Sequence, residues 1–101
     1  MTINTQLDSA SKTLEINISG RFDFDLHQDF RKATDEVGND VSSIIVNMLK
    51  VDYLDSSALG MLLILKDKMG NAKDAVKIKN MKGEVKKILE IANFDKLFIL
   101  E

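Results

Sequence analysis

The sequence predicts an α/β domain: a mixed, mostly parallel sheet with helices mainly on one face. Three observations predict it. Thr13 to Ser19 alternates as a half-buried strand does, with Leu14, Ile16 and Ile18 on one side and Thr13, Glu15 and Asn17 on the other. Ile44-Ile45-Val46 is a short, continuous β-branched run, typical of a central buried strand. The later segments alternate between strand-like runs and apolar residues at helical spacing. That order gives right-handed crossovers and parallel pairing.

Taken in order, Thr2 to Asp8 alternates weakly and reads as a first strand. Ser9-Ala10-Ser11-Lys12 reads as a turn, so this strand and Thr13 to Ser19 should form a hairpin. Gly20-Arg21-Phe22-Asp23 then ends the second strand in a loop. Asp25 or Asp23 can cap a helix running to about Val37, with Leu26, Phe30, Ala33 and Val37 at helical spacing. Gly38-Asn39-Asp40 stops it. A strand over Ser43 to Met48 is followed by a helix over Asp55 to Met69, ended by Gly70-Asn71. Ala75 to Lys79 is a short strand. Lys82 to Ala92 carries Val85, Ile88, Leu89 and Ala92 at helical spacing, and Phe94 to Leu100 closes the chain as a strand or a mixed segment.

Bulk properties narrow the function classes. The chain has 101 residues, the length of one domain (1–101), and 45% hydrophobic residues suffice for an ordinary core. A net charge of -2 lacks the basic footprint of a nucleic-acid binder. Cysteine is absent, which excludes disulfides, thiolate metal sites and cysteine nucleophiles; the single histidine, His27, excludes a multi-histidine metal site. No cofactor is expected, since no Gly-rich phosphate loop occurs. The apolar run Met61 to Leu65 is far short of the roughly 20 residues of a membrane helix. No basic segment followed by an apolar one opens the sequence. The expectation is a cytoplasmic protein that touches neither membrane nor nucleic acid.

The most informative stretch is Asp55-Ser56-Ser57-Ala58-Leu59-Gly60, which runs straight into Met61-Leu62-Leu63-Ile64-Leu65. It places two hydroxyls at the start of a buried helix, where free N–H groups and a partial positive charge welcome an anion. A serine there can take a phosphate without melting the helix. Ser and Asp at a helix start are also ordinary caps. Asp55 is the better cap, which leaves Ser56 free for another role.

On a helical wheel Ala58, Leu59, Met61, Leu62, Leu65 and Met69 share one broad arc, assigned to the core. Ser56, Gly60, Leu63, Ile64 and Asp67 fall on the other side. Charges normally fill a solvated face, so Leu63 and Ile64 there either form a docking surface or pack under a neighbouring helix or loop. Asp23, Asp52, Asp55 and Ser56 taken as an acidic catalytic site would need a general base beside the serine. His27 lies on the outer side of its predicted helix, so the chain is read as a non-enzyme. Lys82, Lys86 and Lys87 read as the solvated face of the last helix.

Leu54-Asp55-Ser56-Ser57-Ala58-Leu59-Gly60, preceded by the strand Ile44 to Asn47, resembles the signature of STAS domains. The likeness is to single-domain anti-sigma factor antagonists of the SpoIIAA and RsbV type. Gly20-Arg21-Phe22-Asp23 matches the loop after that family's second strand, and the element order agrees. In the family the first serine after the Asp is the phosphoacceptor, so the resemblance implies phosphorylation at Ser56. It also implies partners: an anti-sigma factor or response-regulator protein with serine kinase activity, and a metal-dependent serine phosphatase. The unphosphorylated form would bind and the phosphorylated form release.

Asp23, Asp55 and Ser57 are then expected to support the switch site, with Asp23 either near Ser56 or a loop cap. Gly60, Leu63, Ile64 and Asp67 are expected to meet the partner. The sequence departs from the family at Ala58, where Gly is more usual. In this it resembles SypA-type biofilm regulators, in which the link to a sigma factor is not always direct. The alternative is a STAS scaffold subunit that does not switch. Such a subunit would self-associate, whereas a switch is expected to be a monomer that binds a different protein.

Overall fold

In a computed structural model, residues 3–35 and 41–101 are described. The elements are β1 (Ile3–Asp8), β2 (Thr13–Phe22), α1 (His27–Asp35), β3 (Ser43–Leu54), α2 (Ser56–Lys68), β4 (Val76–Lys79), α3 (Gly83–Ile91) and β5 (Ile99–Leu100). Single 3-10 turns at Phe24–Leu26, Lys73–Ala75 and Phe94–Lys96 precede α1, β4 and β5. The expected end of the first helix at Val37, and its stop at Gly38-Asn39-Asp40, lie outside the described residues.

The five strands form one sheet in the order β1-β2-β3-β4-β5. β1 and β2 are an antiparallel hairpin; every later pairing is parallel. Asp8 closes the hairpin turn, its Oδ1 accepting from the Ala10 N–H at 3.1 Å and the Ser11 N–H at 3.4 Å. The fold is therefore the mixed, mostly parallel α/β arrangement the periodicities predict.

One face of every central strand feeds a single core: Leu14, Ile16, Ile18 and Phe22 of β2; Ile44, Val46 and Met48 of β3; Val76 and Ile78 of β4. Leu26 and Phe30, Ala58, Met61, Leu62 and Leu65, and Val85 and Leu89 join the same cluster from the helical side. All three helices thus lie on one face. The opposite face carries half-buried Glu15, Asn17, Ile45, Asn47, Lys77 and Lys79.

Two strands run longer than their patterns predict. Gly20-Arg21-Phe22 continues β2 instead of ending it, and β3 extends six residues past Met48 to Leu54. The cause is a pair of bulges. Pairing moves from Asn17↔Asn47 to Ser19↔Lys50, and from Gly20↔Val51 to Arg21↔Tyr53. Each step places one extra residue on β3, so its core positions fall at Met48, Val51 and Leu54, three apart instead of two. In β2 the even positions keep facing the core through Gly20, which adopts φ +82, a conformation costly for any residue with a Cβ. A period-2 reading loses both strands at these points.

Ile88 also departs from expectation: it is exposed, while Val85 and Leu89 are the buried positions of α3. Lys66 is the reverse case, a lysine within the buried side of α2. Its stem packs inward and its Nζ donates to the Asn71 carbonyl at 2.5 Å. Gly70 and Asn71, at φ +80 and +64, turn the chain out of α2.

Candidate functional site

α2 starts at the carboxyl end of β3, directly beside the end of β2. Phe22 pairs with Leu54, and the Asp55 N–H donates to the Phe22 carbonyl at 3.4 Å. Asp55 is the N-cap: its extended backbone leaves the side chain free to turn back, and Oδ1 accepts from the Ala58 N–H at 3.1 Å. Ser56 is therefore the first residue of the helix proper, and it is exposed; Ser57 is half-buried. Neither serine hydroxyl has a hydrogen-bond partner among the described residues, nor has either serine's N–H. Asp55 serves the third helical N–H and leaves the first two donors available at the turn that bears Ser56.

The exposed side of α2 is a continuous stripe. Ser56, Gly60, Leu63, Ile64 and Asp67 follow one another at helical spacing, and Leu63 and Ile64 are 42% and 57% exposed. Ile64 also borders the groove between α1 and α2. Asp67, at the far end, accepts from the Asn71 amide at 3.1 Å. The inner side of the helix carries Ala58, Met61, Leu62 and Leu65, all buried, with Leu59 and Met69 partly so.

Asp23 caps the turn before α1. Its Oδ1 accepts from the Asp25 N–H at 3.1 Å, and Oδ2 receives Arg21 Nε at 3.2 Å. Asp23 and Asp55 each follow a residue of the Phe22–Leu54 pair, so the two carboxylates flank the same corner of the sheet. No hydrogen bond joins Asp23 to Ser56 among the described residues. Asp52 points elsewhere: it is ion-paired with Lys82 at the start of α3. A cleft of about 330 Å³ beside the corner is lined by Arg21, Asp23, Asp25, Leu26 and Asp29.

Three features here were not signalled by the sequence. The Arg21 guanidinium lies over the Tyr53 ring, 4.2 Å from its centroid, on neighbouring strands. Phe24 is 67% exposed and stacks on His27, with ring centroids 5.5 Å apart. A groove of about 310 Å³ separates α1 from α2, floored by Phe30, Met61 and Ile64 and rimmed by His27, Arg31 and Lys68. The Arg21–Tyr53 contact and the groove follow from no periodicity, because each depends on which strands or helices become neighbours; Phe24 and His27 are three positions apart and meet across one helical turn. At the groove, Lys68 Nζ donates to Asp35 at 2.5 Å, and this bond holds the Asp35 carboxyl below the usual carboxylate range. Among the described residues no three His, Asp or Glu side chains converge as a metal site would, and no helix is long and apolar enough to cross a membrane.

Comparison with known proteins places this geometry in a family. The STAS domain family matches residues 4–101, so the chain belongs to it. A STAS-domain containing protein of Pseudomonas aeruginosa is 47% identical over 95 residues, spanning 93% of this chain and 94% of that protein. An anti-sigma factor antagonist of Mycobacterium paratuberculosis shares the fold with a TM-score of 0.79 at 19% identity, over 97% of this chain and 84% of its own. The Bacillus cell fate determinant SpoIIAA in its phosphorylated form has a TM-score of 0.67 at 16% identity, over 98% of this chain and 90% of its own. SpoIIAA in its unphosphorylated form gives 0.72 at 17% identity, over 98% and 86%.

Proposed function

We propose that this STAS domain is a phosphorylation-controlled protein-binding switch of the anti-sigma factor antagonist kind, with Ser56 as the phosphoacceptor. One observation carries the reading: the exposed residue Ser56 heads the same stripe of α2 on which Leu63 and Ile64 are exposed. A modification site and an apolar docking face are thus one surface. Solved structures of SpoIIAA in both phosphorylation states share the fold, which supports the same use of it here. The role is that of a binding module, not an enzyme, acting in the cytoplasm.

The physics of release is simple. A phosphate adds about -1.5 to -2 charges at Ser56. The first turn of α2 tolerates it, because the unsatisfied N–H groups and the helix dipole favour an anion. A partner fitted to a neutral hydroxyl and to Leu63 and Ile64 does not, and Asp55 and Asp23 add charge of the same sign at that corner. Burying an unpaired phosphate at an interface costs several kcal/mol. A loss of about 2.7 kcal/mol already weakens binding roughly a hundredfold. Phosphorylation therefore changes the surface and spares the core.

The proposed partners are an anti-sigma factor or response-regulator protein with serine kinase activity, and a metal-dependent serine phosphatase that resets the switch. The proposed output is a sigma factor or, on the resemblance carried by Ala58, a process such as biofilm formation. The test is capture from native lysate with wild-type, Ser56→Ala and Ser56→Asp baits, identifying bound proteins by mass spectrometry. A partner retained by Ser56→Ala and lost by Ser56→Asp is the expected result. Identical partner sets, with no phosphate on Ser56 in any condition, would reduce Ser56 to part of a helix start and favour a scaffold subunit.

A further inference from the structure

β1 is the outer strand of the sheet, and among the described residues only its β2 side is paired. An edge strand directs alternate N–H and C=O groups outward, a template for another strand. Proteins usually blunt such edges with lysine, proline, a bulge or a covering element. Among the described residues β1 has no lysine, proline or bulge, and α1 packs against it only where Ile3 is buried. Its six residues, Ile-Asn-Thr-Gln-Leu-Asp, contain no Lys or Pro, its register against β2 is unbroken from Ile3↔Ile18 to Asp8↔Thr13, and five of the six are exposed. Leu7 stands on the core-facing side, opposite buried Leu14, yet is 55% exposed.

The strand is also complementary to itself. We propose that β1 pairs antiparallel with β1 of a second copy of this chain, about a two-fold axis at Thr5, merging two sheets into one. Such an axis, perpendicular to the sheet, opposes only residues of the same face. Centred on Thr5, it sets Ile3 against Leu7 of the second copy, Asn4 against Gln6, and Thr5 against Thr5. Apolar meets apolar, amide meets amide and hydroxyl meets hydroxyl, the pairings that stabilise neighbouring strands. Asp8, the one charged residue of β1, falls outside this five-residue overlap, so no like charges oppose. A centre at Gln6 would set Leu7 against Thr5 and Asn4 against Asp8. A centre at Asn4 would leave Leu7 uncovered.

The contact is short, so the dimer is weak and concentration-dependent. It is also independent of the Ser56 switch. β2 separates β1 from β3, and α2 follows β3, so the exposed stripe of each copy stays free. Self-association then marks an edge property and does not by itself identify a scaffold.

The chain has no cysteine, which permits a clean test. Sedimentation of the wild type should show a mass rising from 11.3 kDa toward twice that with concentration. Thr5→Lys should stay at one chain with an unchanged melting temperature, because its charges would oppose across the axis while the side chain stays exposed. Under mild oxidation Thr5→Cys should form a linked dimer roughly tenfold faster than Gln6→Cys, since a disulfide needs Cβ atoms within about 4.5 Å. A wild type that remains one chain up to about 1 mM would overturn the proposal. So would a dimer that survives Thr5→Lys, or faster linking through Gln6→Cys.

Discussion

Asp55 and Ser56 stand side by side, and the structure gives them different work. Asp55 closes the first turn of α2 through the Ala58 N–H, while the Ser56 hydroxyl makes no hydrogen bond among the described residues. Asp55→Ala should therefore destabilise the fold by about 1 kcal/mol in urea denaturation, whereas Ser56→Ala should leave the midpoint nearly unchanged. A Ser56→Ala loss as large as that of Asp55→Ala would make the serine a cap. This division was legible in the sequence, because capping depends only on local spacing. Asp35 was not legible: its partner Lys68 is 33 positions away on another helix.

The hydrogen bond from Lys68 lowers the Asp35 pKa in the folded state, so its contribution is present above the unfolded carboxylate value, about 3.9, and is lost as pH falls through the lower folded value. Lys68→Met should return the Asp35 titration, followed by NMR, toward the ordinary carboxylate range. An Asp35 titration unmoved by that substitution would show that Lys68 is not its partner in solution.

At the scale of elements, α2 combines two demands. Its inner side anchors it to the sheet through Ala58, Met61, Leu62 and Leu65, and its outer stripe keeps two large apolar side chains, Leu63 and Ile64, exposed. Gly60 interrupts that stripe, and a Cβ built there meets nothing within 4 Å. Gly60→Ala should stabilise the isolated domain by up to about 1 kcal/mol through helix propensity alone. Leu63→Lys with Ile64→Lys should leave stability within about 0.5 kcal/mol of wild type yet abolish partner capture. A large loss of stability in the double variant would mean that these residues hold the fold rather than the partner.

The helical period exposed this stripe before the structure did, since a wheel needs only one element. The strands were legible only where they keep period 2. The two bulges on β3 shift its core positions to Val51 and Leu54, and no local pattern announces a bulge, which is defined by its neighbour. The groove between α1 and α2 was hidden for the same reason.

For the whole molecule, the order of elements in the sequence already dictated the architecture: one hairpin, then strands joined through helices that share a face. That arrangement sets Ser56 at the carboxyl end of a central strand, on a helix whose other side is locked into the core. A charge change there reaches the surface without passing through the packing. In the proposed switch the fold is indifferent to phosphorylation and the binding surface is not.

The most direct measurement prepares the protein with phosphoserine at position 56 and compares it with the unmodified chain, in one experiment, for thermal unfolding and for partner capture from native lysate. The two forms should unfold within a few degrees of each other, while a partner held by the unmodified chain is lost from the phosphorylated one by roughly a hundredfold. Equal capture by both forms, or a phosphorylated chain that no longer folds, would contradict the switch.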